Sequence, residues 1–175
     1  NMALSKIDVA NMLTGVTPVA NGGTALSSGF TNGKLGQVVN AVFDVDTDVS
    51  SSTFADLTDG SGETLEVAIT PSATSSKCLI EYTIQASMAS NRGYKTKLLR
   101  TVGGSDTAIM TQPDQKDTYG DGNTHAQRSS VQFLDSPSTT SAITYTVQVA
   151  TDGAGLVTFA NSNSQCMITV MEILA

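Results

Sequence analysis

Along most of the chain apolar residues recur at every second position, in runs short enough to be single β-strands. The clearest run is 77–88, where Cys78, Ile80, Tyr82, Ile84, Ala86 and Met88 alternate with the polar Glu81, Thr83, Gln85 and Ser87. Residues 143–149 repeat the pattern, with Ile143, Tyr145, Val147 and Val149 on one side. Such strands bury one face and leave the other to water. Two runs break this rule. In 165–174, Cys166, Ile168 and Val170 point one way while Met167, Met171 and Ile173 point the other, and only Thr169 and Glu172 interrupt the apolar content. In 35–45, Val39, Ala41, Phe43 and Val45 oppose Val38 and Val42. A strand apolar on both faces needs cover on both. One cover is the second sheet of a sandwich. The other expected cover is a copy of the same chain, which makes Val38, Val42, Met167, Met171 and Ile173 the expected oligomer interface.

Further strands are predicted over 53–57, 64–70, 94–102, 107–112, 127–134 and 156–160, divided by turn clusters such as Asp59-Gly60-Ser61-Gly62 and Gly103-Gly104. A polar loop fills 113–124, and no helix of ordinary length fits after residue 34. About nine or ten strands in a domain of about 140 residues predict an all-β fold, an antiparallel β-sandwich or jelly roll. Residues 1–33 differ, with turn-formers every few positions and no sustained period; they read as an N-terminal arm or linker ahead of a domain over 34–175. Asn1 ahead of Met2 reads as an added residue or a cut from a longer chain. The two-faced first and last strands suit a sheet covered once by its partner sheet and once by other subunits. A closed ring of three wedges consumes that surface most simply.

Composition narrows the chemistry. Nine Lys and Arg against 16 Asp and Glu give a formal charge of −7, which argues against nucleic acid and anionic lipid as partners. Charged residues are only 14% while Ser and Thr make up about a quarter, so the surface is solvated by hydroxyls more than by ions. Trp is absent, which weakens a lectin reading based on ring stacking. No apolar run is long enough to insert in a membrane, and no signal peptide or Asn-x-Ser/Thr sequon is evident. Cys78 and Cys166 both fall at inward strand positions; two buried thiols are the simpler reading and a cross-sheet disulfide the alternative.

No motif carries catalysis. Asp44, Asp46 and Asp48 share one face of an extended segment, yet the calcium-loop pattern fails, with Val49 where glycine is needed. The loop around Asp117 and Asp121 fails the same pattern at Tyr119. No metal or cofactor is therefore expected. His125 is the only histidine, and no nucleophile elbow accompanies it. The polar stretches 91–95 and 117–128 gather Arg92, Tyr94, Tyr119, Asp121, His125 and Arg128, the candidate ligand-binding set, expected outside the core.

Several segments, taken in order, carry a resemblance: Gly36-Gln37-Val38-Val39, Thr53-Phe54-Ala55-Asp56-Leu57-Thr58, and the stretch from Ile69-Thr70-Pro71-Ser72 to Ser76-Lys77-Cys78-Leu79-Ile80. Val131-Gln132-Phe133-Leu134-Asp135-Ser136-Pro137, Tyr145-Thr146-Val147-Gln148 and the closing Ile168-Thr169-Val170-Met171-Glu172-Ile173 follow. Together they resemble tail and virion structural proteins of bacteriophages. The resemblance implies a tumour-necrosis-factor-like jelly-roll head assembled as a trimer, with the first and last strands nearest the threefold axis. It implies no ligand. The functional expectation is a non-enzymatic tail fibre or spike head, located in the virion and assembled in the host cytoplasm. Its partners would be its own copies, other virion proteins, and a host surface glycan or protein. A trimeric capsid decoration protein is the alternative, and a glycan depolymerase a more distant one.

Overall fold

The computed structural model describes residues 34–89, 91–116, 122–153, 155–161 and 164–174. The expected arm over 1–33 lies outside them. Among the described residues there is no helix, and twelve antiparallel strands form two six-stranded sheets. The long strands are β1 (Lys34–Phe43), β5 (Lys77–Ala89), β6 (Gly93–Val102), β7 (Ser105–Thr111), β9 (Thr124–Asp135), β10 (Ile143–Thr151) and β12 (Cys166–Leu174). The shorter ones are β2 (Thr47–Val49), β3 (Ala55–Asp56), β4 (Glu66–Ile69), β8 (Gln115–Lys116) and β11 (Val157–Phe159).

The pairings are nested. β6 pairs with β7 through the two-residue turn Gly103-Gly104, both at positive φ (57° and 79°), a conformation that glycine adopts without strain. Outside that hairpin β5 pairs with β9, then β4 with β10, then β1 with β12. Successive pairs alternate between the sheets: β1, β12, β5 and β9 lie in one, with β4, β10, β6 and β7 in the other. One long hairpin wound in this way around a common core is a jelly roll.

The core is what the period-two pattern predicts. Cys78, Ile80, Tyr82, Ile84, Ala86 and Met88 of β5 are all buried, as are Ile143, Tyr145, Val147 and Val149 of β10. From β12, Cys166, Ile168 and Val170 join them. Both cysteines are free thiols. Strand β6 is tied to the first sheet at three points along its length. Tyr94 Oη meets Ser129 Oγ at 2.7 Å, Thr96 Oγ1 meets Tyr82 Oη at 2.8 Å, and Arg100 donates to Asp135 at 2.8 Å.

Three local expectations are corrected. Val45 does not extend the inward face of β1, because the chain bends after Phe43 and leaves Val45 43% exposed. The strand expected over 53–57 is only β3. The loop expected over 113–124 contains β8 and gives up Thr124 to β9. Strands two or three residues long hold too few alternations to show a period.

Candidate assembly face

The outward side of the first sheet is built by register. Val38 of β1 pairs with Met171 of β12, Met171 with Leu79 of β5, and Leu79 with Leu134 of β9. Residues opposite one another in neighbouring strands share a face, so these four form one apolar row across the sheet. Val38 is 53% and Leu134 49% exposed, with Met171 and Leu79 half-buried between them. On one side of the row lie Leu35, Ile173 and Lys77; on the other lie Asn40, Thr169, Glu81 and Gln132. One row further on are Val42 and Met167, beside Thr83 and Ser130. All five residues expected at an interface therefore stand on this one face.

A β-bulge shapes its edge. Leu35 pairs with Ile173 and Val38 with Met171, so three steps along β1 match two along β12. Without that extra residue Leu35 and Val38 would point to opposite faces; with it both point outward. The bulge is packed on Glu172. Gln37 Nε2 donates to the Glu172 carboxylate at 3.0 Å and to the Thr70 carbonyl at 2.6 Å. Ser72 gives the same carboxylate both its backbone N–H and its hydroxyl. Glu172 is buried at 1% exposure. Burial pushes its carboxyl upward, but the Ser72 and Gln37 donors outweigh that and hold it at about 2.

A second buried ionic group closes the same end of the sandwich. Arg100 Nη1 lies 2.8 and 3.0 Å from the two Asp135 oxygens, and Tyr145 Oη donates to Asp135 at 2.7 Å. Burial first, then the bond to Asp135, keep the Tyr145 phenol strongly raised and therefore protonated. Asp135 accepts from both Arg100 and Tyr145 of the opposite sheet, which suits a cross-sheet tie.

The outer face of the second sheet has a different chemistry. A groove of about 270 Å³ is floored by Thr144, Thr146 and Gln148 of β10 with Leu99 and Thr101 of β6, and rimmed by Asp56, Glu66 and Asp106. Each rim carboxylate already accepts a neighbour's hydrogen bond, from Gln148, Thr146 and Thr101 respectively. The sandwich thus has one outer face with an apolar row and one with a polar groove rimmed by carboxylates.

No protein-family model matches this chain, and no curated protein matches it. Among solved structures it is similar to the VP2 capsid protein of infectious bursal disease virus. With the VP2 subviral particle the TM-score is 0.41 at 11% identity, over 79% of this chain and 41% of that one. With the structure of the Gx strain it is 0.43 at 13% identity, over 79% of this chain and 37% of the other. The chain spans about two fifths of the length of these structures.

The candidate ligand set is dispersed. Tyr94 is a correction: it is wholly buried, edge-on to Phe159 with centroids 5.5 Å apart. The Arg92 side chain lies over Gly155, where an added Cβ would sit 3.0 Å from Arg92 Nε. His125 is on the inward side of β9 opposite Met88, whereas Arg128 is on the outward side and donates to Gln85 at 3.3 Å. Tyr119 and Asp121 lie outside the described residues. Asp44 and Asp46 are exposed at the bend after β1, while Asp48 on β2 accepts from Thr158 at 2.7 Å. Among the described residues no group of acidic, His or Cys side chains converges on a metal position.

The sequence reading missed Leu35, Leu79 and Leu134 on this outer face, and the burial of Glu172 and Asp135. Leu79 carried a signal, since it is the one apolar residue on the outward side of the run 77–88. Leu134 carried none without its pairing partner.

Proposed function

We propose that this chain is a non-enzymatic structural protein of a bacteriophage particle, the head of a tail fibre or spike that binds the host surface as an assembled oligomer. The observation that carries the reading is the outward apolar row Val38, Met171, Leu79 and Leu134, exposed at both of its ends. A contiguous apolar patch of this kind on a folded domain marks a contact with another protein. The ordered series of virion-like segments supports the particle as its setting, and supports three copies around an axis as the count. Recognition would rest on several weak loop sites per assembly, gaining strength by avidity. Arg92, His125, Arg128, Tyr119 and Asp121 are the candidate contacts, with a host glycan or surface protein as ligand.

A capsid decoration protein is the second reading. The apolar residues Leu4, Ile7, Val9, Met12 and Leu13 of the N-terminal segment favour it, because they suit an arm laid on a neighbouring shell protein. The test is twofold. Met171→Lys should lower the mass of the assembly in light scattering while the chain stays folded, and unchanged mass would remove the assembly reading. Quantitative mass spectrometry of intact particles should then find a few dozen copies or fewer for a tail protein, against hundreds for a decoration protein. Loss of polysaccharide on incubation with the purified chain would overturn the non-enzymatic assignment.

A further inference from the structure

Strand β5 carries opposite charges on either side of the apolar row. Lys77, Leu79 and Glu81 follow one another on its outward side, and both charges are exposed. Neither is in an ion pair among the described residues. We infer that a second copy of this chain packs face to face on the row, about a two-fold axis that runs along Val38, Met171, Leu79 and Leu134. The inference rests on the assembly reading above and specifies how the face is buried.

Among two-fold axes lying in the contact plane, one running along β5 and one running across the strands keep the strands of the two copies aligned. An axis parallel to β5 keeps position along the strand, so Lys77 meets Lys77 and Glu81 meets Glu81. An axis across the strands reverses them, so Leu79 meets Leu79 and Lys77 meets Glu81 at both ends. Like charges facing each other across a contact oppose association, while opposite charges favour it and fix the register. The order of charges on β5 therefore selects the crossing axis. Each apolar residue of the row then lies against its own copy, and two Lys77–Glu81 pairs form the rim. Aligned sheets packed in this way sit about 10 Å apart with side chains interleaved. Val42 and Met167 lie two rows away and are left for other contacts, including one around a threefold axis.

Charge reversal tests this on the intact chain by sedimentation at several concentrations. Lys77→Glu alone and Glu81→Lys alone should each weaken self-association by roughly tenfold or more, since each places like charges opposite one another at both rims. Mixing the two single variants should restore association as a one-to-one pair, because the all-acidic rim of one then meets the all-basic rim of the other. The double variant K77E/E81K should also associate as the wild type does. Both positions are exposed, and circular dichroism checks that the variants are folded. If Met171→Lys abolishes association while the charge variants do not change it, or if mixing restores nothing, the two-fold pairing is wrong and the assembly reading stands. A wild-type chain that stays monomeric up to millimolar concentration overturns both.

Discussion

Ser72 donates its backbone N–H and its hydroxyl to one carboxylate oxygen of Glu172, each at 2.6 Å. The pair joins the segment leading into β5 to the C-terminal end of the last strand, and Gln37 draws the bulge of β1 into the same knot. Three segments singled out in the sequence as family-like, around Gly36, Ser72 and Glu172, meet at this point. Its consequences can be measured.

The first concerns pH. The Glu172 carboxyl sits at about 2 in the fold, below its ordinary 4.5. As pH falls, the unfolded chain therefore binds the proton first. The stability that Glu172 contributes is complete above about pH 4.5 and is lost as pH drops toward 2. Glu172→Gln should be less stable than wild type at neutral pH, and the difference should shrink to nothing near pH 2. Urea unfolding of both proteins across that range checks it; a constant difference would be inconsistent with the buried, donor-rich carboxylate.

Gly36→Ala tests how closely the bulge is packed. An added Cβ would stand 2.9 Å from Glu172 Oε2 and 3.1 Å from Leu174 Cδ2. Overpacking of this order costs about 1–3 kcal/mol. We expect a fall of that size in unfolding free energy. Weakened self-association should accompany it, because a shift of the bulge moves Leu35 and Val38 on the assembly face.

Asp135→Ala should be among the most damaging substitutions outside the apolar core. It leaves Arg100 without its anion and the Tyr145 hydroxyl without its acceptor, both in a largely buried setting. Breaking one side of a buried pair costs about 3–5 kcal/mol, of which the partial exposure of Arg100 leaves the lower end. Pairing Asp135→Leu with Arg100→Met should recover much of the loss in denaturant unfolding, because no orphaned charge remains.

Tyr94→Phe separates packing from recognition. The ring is buried against Phe159 and the hydroxyl meets Ser129 at 2.7 Å. Losing that bond should cost about 1 kcal/mol, with no change in binding to host cells. Reduced binding at unchanged stability would return Tyr94 to the recognition set.

Much of the fold was legible because the long strands each bury one face. In β5 and β10 every second residue is apolar over enough positions to fix both the strand and its inward side. The two-faced character of β12 was legible for the same reason, and the pairings place its second apolar side on the outer face of the first sheet. The candidate ligand set was less legible. Polar neighbours placed Tyr94 outside the core although it opens a predicted strand, but β6 begins at Gly93 and carries the ring inward.

The sequence by itself determined the long strands, their inward faces and the excess of apolar residues in the last one, since these follow from side chains alternating along a single strand. Only the tertiary structure decided that Val38, Met171, Leu79 and Leu134 form one row, because that depends on the register of four strands far apart in the chain. It alone placed Glu172 in a nest of donors and Asp135 beside Arg100. A carboxylate in a strand looks like a break in the apolar pattern until the partners that stabilise its burial are brought to it by long-range pairing.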